Sequence, residues 1–102
     1  MLDETMNSEQ IRELAEAMLT LGTREEALVF FEDIFTIKEL QAVAQRLAVA
    51  RLLKQKVTYQ DIAEKTGAST ATISRVNRSL TYGAGGYQMV LGRMQETSAR
   101  EE

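Results

Sequence analysis

Between Thr70 and Arg78 the sequence carries short hydroxyls, a methyl group and two guanidiniums, with no acid among them. If Ile73, Val76 and Leu80 turn inward, helical spacing sends Thr70, Ala71, Ser74, Arg75 and Arg78 outward together. Such a face breaks no bonds; it recognises. Arg pairs bidentately with guanine or phosphate, Ser and Thr donate to either, and a methyl meets a thymine methyl. Thr70, Ala71 and Ser74, near the helix start, suit base edges. Gln60 can reach a base or a phosphate. Arg75 and Arg78 suit phosphates, helped by Lys54, Lys56 and the helix N-terminus at Ser69.

These side chains need a frame, and the surrounding residues supply one. Ala63, Gly67 and Ile73 lie four and then six residues apart, the spacing of a helix-turn-helix. Ala63 is small enough for two helices to cross. Gly67 ends the first helix in a left-handed conformation that costs a residue with Cβ about 1 kcal/mol or more. Ile73 closes a small core with Ile62 and Val76. Thr58 and Ser69 stand where the two N-caps belong.

The same residues carry a family resemblance. Gly67 to Leu80 resembles the second half of the tryptophan repressor's helix-turn-helix, and Leu52-Leu53-Lys54 through Ile62 continues the likeness upstream. Gly22 to Met94 resembles most closely the YerC/YecD family of tryptophan-repressor-related proteins. It does so through F-F-E-D-I-F at Phe30–Phe35, A-Q-R at Ala44–Arg46 and S-R-V-N-R-S-L-T-Y-G at Ser74–Gly83. The resemblance implies an all-α fold of about six helices around a central helix-turn-helix, in an intertwined homodimer that binds a palindromic operator in double-stranded DNA. It also implies where a corepressor would sit: against Thr72 and Arg75, with a third contact at Gln45 or Arg46 depending on a one-residue alignment choice. The repressor has a small glycine after its recognition-helix Arg; this chain has Val76, whose branched side chain would crowd an indole. Arg78 is a further added bulk.

The chain has 102 residues, a length for one domain, with an apolar fraction of 44% that argues against disorder. It has no Cys, His or Pro. That removes disulfides, thiolate metal sites and the commonest general base, and leaves the helices uninterrupted. The N-terminus is acidic and amphipathic rather than a signal peptide, and no run reaches membrane-spanning length. A cytoplasmic, soluble protein with no metal and no obligatory cofactor is expected. The net charge is −3, but it is unevenly placed. Residues 1–35 carry nine acids against Arg12 and Arg24, a balance of −7, whereas residues 36–80 carry eight Lys or Arg against Glu39, Asp61 and Glu64, a balance of +5. Basic charge therefore collects around the motif.

Along the chain, residues 7–57 are expected to form N-terminal dimerisation helices, 58–80 the helix-turn-helix and 86–95 a C-terminal dimerisation helix, within one domain. Met1 to Thr5 is expected to be frayed. Asn7 or Ser8 caps a helix to about Thr20 with Ile11, Leu14, Ala15 and Met18 inward, and Gly22 stops it. Thr23 with Glu26 and Thr36 with Glu39 make capping boxes for the next two helices. The second helix, to about Asp33, buries Leu28, Phe31 and Phe35. The third, to about Gln55, carries one apolar stripe of Ile37, Leu40, Ala44 and Leu47 and another of Val43, Ala50 and Leu53. Cover on both faces points to a second subunit. The glycines between Thr81 and Tyr87 read as a hinge, and Ser98 to Glu102 as a solvated tail.

The leading expectation is a homodimeric transcriptional regulator that reads DNA in the major groove. The alternatives are an aporepressor needing tryptophan or another small effector, and a helical protein-interaction module without DNA binding. An enzyme is disfavoured, because no Ser has a His to activate it and no ligand set clusters for a metal.

Overall fold

Five of the six helices start on a hydroxyl, at Ser8, Thr23, Thr36, Thr58 and Ser69, and these caps set the architecture. The structure is a computed structural model that describes residues 8–101, with side chains as far as residue 97. Its described residues form six helices and no strands: α1 Glu9–Met18, α2 Arg24–Ile34, α3 Ile37–Lys54, α4 Tyr59–Thr66, α5 Thr70–Tyr82 and α6 Gly86–Glu101. The fold is all-α, as expected. The chain divides into two compact units, Met1–Leu40 and Gln41–Glu102.

In the first unit Ser8 accepts the Ile11 amide at 3.3 Å and Thr23 the Glu26 amide at 3.1 Å. Glu26 returns a carboxylate oxygen to the Gly22 amide at 2.7 Å, one residue upstream of a standard capping box. Gly22 is therefore not the stop of α1. That helix ends earlier, at Met18, where the Thr20 amide and hydroxyl both turn back onto the Ala17 carbonyl at 3.1 and 2.7 Å. At α3 the box is complete: the Thr36 amide donates to Glu39 at 2.8 Å, and the Glu39 amide donates to the Thr36 hydroxyl at 3.1 Å.

Neither α1 nor α2 buries a residue fully. Leu28, expected inside, is 55% exposed, and Leu14, Met18, Val29, Ile34 and Ile37 are exposed as well. Phe31 and Phe35 are half-buried and meet edge to face, 5.8 Å between ring centroids. The apolar spacing of these helices is present, but most of its large side chains are left exposed.

The second unit holds the core. Val49, Ala50, Ile62, Ile73, Val76, Ala68 and Leu91 are buried, with Leu47, Leu52, Leu53, Val57, Ala63, Leu80 and Tyr87 packed around them. Val49 belongs to neither stripe expected on α3, and Val43 and Ala44 of those stripes are exposed. The inward face of α3 is decided by where α4 and α5 lie, which a helix apolar on several sides does not reveal.

Two other ends differ from expectation. α5 runs two residues past Leu80 and stops at Gly83, where a Cβ would collide with the Ser79 carbonyl oxygen. α6 runs well past Gln95, to Glu101, so Ser98 to Glu101 is helix rather than tail. No Gly or Pro follows Gly92 to interrupt it. Asn7, the expected frayed start and Glu102 lie outside the described residues.

The hydrogen bonds from Thr36 hold the Glu39 carboxyl below its usual range. A lowered folded-state value contributes stability above the ordinary carboxylate range and loses it as pH falls through the lowered value. Protection of the Thr36 amide, followed by hydrogen exchange across an acid titration, should fall in that window. Glu39→Gln keeps an acceptor that does not titrate and should make the same protection flat.

Candidate nucleic-acid interface

α4 and α5 are each closed by local chemistry. Thr58 accepts the Asp61 amide at 3.2 Å and Ser69 the Thr72 amide at 3.1 Å. Gly67 adopts φ 74° and donates its amide to the Ala63 carbonyl at 2.9 Å. The Thr66 hydroxyl donates to the Ile62 carbonyl at 2.7 Å and accepts the Ala68 amide at 3.1 Å. This leaves the Thr66 carbonyl, and the Gln45 side chain of α3 donates to it at 3.1 Å. The turn is therefore pinned from a third helix. Ala68 inserts into the core immediately after it.

From this anchored start α5 presents a consistent outer side. Ile73 and Val76 are buried and Leu80 half-buried, whereas Thr70, Ala71, Ser74, Arg75, Asn77 and Arg78 are exposed. Ala71, Ser74 and Arg78 fall three and then four residues apart, one stripe of a helix. Gln60 is exposed on the first turn of α4, and Lys54 and Lys56 are exposed at the α3–α4 junction. The structure thus puts every residue expected at DNA where solvent reaches it. Asn77 is exposed too, though the sequence pattern did not mark it. It lies between Val76 and Arg78 on an outward turn, and an amide there can read adenine.

The residues expected around an effector are only partly brought together. Arg46 and Arg75 line a hollow of about 230 Å³ with Val76, Ser79 and Tyr87. It adjoins a wider cleft, about 510 Å³, along Arg46, Leu47, Val90 and the Gly83–Gly86 loop. Thr72 is not part of its lining. Its hydroxyl accepts from the Ser69 hydroxyl at 3.1 Å, so the N-cap engages it. Of the two candidates for the third position, Gln45 is committed to the Thr66 carbonyl and Arg46 faces the hollow. Val76 forms part of the hollow's wall while being only 2% exposed.

Comparison with known proteins fits this geometry. Residues 9–95 match the Trp repressor protein family. The chain belongs to the Trp repressor family. It is of the YerC type: it is 47% identical over 94 residues to the uncharacterized protein YerC of Bacillus subtilis, covering 92% of this chain and 90% of that one. Among solved structures, a TrpR-like protein from Eubacterium eligens is 49% identical with a TM-score of 0.87, covering 91% of this chain and 96% of the other. A Staphylococcus aureus protein described provisionally as a Trp repressor is 48% identical at the same TM-score, covering 93% and 95%. The family is one of regulatory proteins of DNA-binding type rather than enzymes. Among the described residues no group of acidic side chains could hold a metal, and no helix is long and apolar enough to cross a membrane.

The Gln45 bond is a direct test of how the turn is held. Gln45→Ala deprives the Thr66 carbonyl of this partner and should cost about 1 kcal/mol in urea unfolding. Arg46→Ala, which leaves the bond intact, should cost less.

Proposed function

We propose that the protein is a sequence-specific, double-stranded-DNA-binding transcriptional regulator, a repressor that acts in the cytoplasm as a homodimer. The observation that carries this is the outer side of α5. It has hydroxyls, a methyl, an amide and two guanidiniums, all exposed and free of acids, on a helix whose inner side is locked into the core. Ser69, Thr70, Ala71 and Ser74 at its start, with Gln60, address base edges and nearby phosphates. Arg75, Arg78, Lys54 and Lys56 address the phosphate backbone.

The dimer is supported by what the single chain leaves open. Leu14, Leu19, Leu28, Val29 and Ile37 are 42–85% exposed in the first unit, and Met89, Val90 and Met94 of α6 are 42–49% exposed. So many large apolar side chains left to solvent in each unit support a partner that covers them. A second copy covering it would carry a second α5, and two-fold symmetry then calls for an inverted repeat with half-sites about 34 Å apart.

A second reading has one observation in its favour. The hollow lined by both Arg46 and Arg75 offers two cations to a small carboxylate, as a ligand-dependent aporepressor would need. Val76 in its wall leaves an indole less room than a glycine would, so an effector other than tryptophan fits this reading better.

Selection of bound duplexes from random DNA should enrich an inverted repeat, and anisotropy titration should give the same affinity with and without L-tryptophan. Failure to enrich any duplex at low salt, with or without added effectors, would favour a protein-interaction module instead. On the selected site, Ser74→Glu should abolish specific binding by placing a carboxylate against bases and phosphates. Arg78→Ala should weaken all sequences alike and lower the salt slope by about 0.9 for each phosphate that the arginine neutralises.

A further inference from the structure

Two helix ends in the second unit pass through a left-handed residue, each with a different side chain. At the end of α4 the left-handed position is Gly67, φ 74°, as conformational cost requires. At the end of α3 it is Lys56, φ 65°, and among the described residues it is the one non-glycine with positive φ. The surrounding bonds are those of a Schellman cap: the Lys56 amide donates to the Leu53 carbonyl at 3.0 Å and the Val57 amide to the Leu52 carbonyl at 3.1 Å. Val57 then packs against the core. Every part of this cap is made by backbone or by Val57, so glycine would make it at less strain. The Lys56 side chain is exposed, and among the described residues its ammonium has no hydrogen-bond partner in the protein. It stands two residues before the Thr58 cap that opens the helix-turn-helix, in a chain with a net charge of −3.

We propose that Lys56 occupies a glycine position because its ammonium is a phosphate contact, so the fold gives up stability at this turn for affinity toward duplex DNA. The proposal rests on the DNA-binding reading. A cation beside the last carbonyls of α3 also complements the helix dipole, and that explanation makes the opposite prediction for the glycine variant.

The test compares wild type with Lys56→Gly, Lys56→Asn and Lys56→Arg in urea unfolding and in titration of a random-sequence duplex over a range of salt. Lys56→Gly should unfold with an equilibrium constant several-fold smaller than wild type. It should also bind the duplex several-fold more weakly at low salt, its log–log salt slope smaller by about 0.9 per lysine removed. Lys56→Asn, which tolerates the left-handed region without charge, should show the same reduction in slope, and Lys56→Arg should restore it. A less stable Lys56→Gly overturns the proposal in favour of the helix end, and unchanged affinity and slope overturn it outright. If wild type itself ignores duplex DNA at low salt, the DNA-binding reading fails and this one with it. Normal wild-type binding beside an unaffected variant sinks this one alone.

Discussion

The α4–α5 pair depends on the three residues that join it, Gly67 to Ser69. Between Thr66 and Thr70 the chain must turn, bury Ala68 and deliver an N-cap, and it does so through a left-handed Gly67 with Gln45 holding the carbonyl just before it. The direction in which α5 leaves α4 is fixed there. Ile62, Ile73 and Val76 then make that direction rigid, because close-packed side chains resist small rotations. Without the turn the outer face of α5 would still have its residues but would lose a fixed bearing.

The rest of the second unit reads as support for that bearing. Val49 and Ala50 give α4 and α5 a floor, and Leu91 brings α6 against the same core. Gly83 ends α5 sharply because only a residue without Cβ fits beside the Ser79 carbonyl. The first unit is different in kind. Its helices have sound caps but no closed interior, which suits segments whose burial depends on another molecule.

Much of this was legible in the sequence because the signals were local. Ser8, Thr23, Thr36, Thr58 and Ser69 act as caps within four residues of their partners, and Gly67 and the Ile62–Ile73–Val76 triad follow from spacing alone. What escaped depended on distant chain. Val49 is buried in a core it shares with Ile62, Ile73, Val76 and Leu91, residues of helices that come later in the chain. Gln45 looked like one candidate for an effector contact, yet its amide meets a carbonyl 21 residues away. The end of α6 escaped for a different reason: residues 96–101 have neither apolar period nor stop signal, so nothing local marked where the helix would cease. Leu28 shows the converse, an apolar position at helical spacing that was expected to be buried and is 55% exposed.

The caps of α4 and α5 have one more consequence. Both are hydroxyl-to-amide bonds between uncharged groups, and the Gln45 tie to their turn is uncharged as well. Mobile ions screen charges and leave such bonds almost untouched. Adhesion to a polyanion would rest on Lys and Arg, whereas the shape of the α4–α5 pair rests on neutral contacts. Salt would therefore weaken charge-borne contacts at this surface without loosening the surface itself.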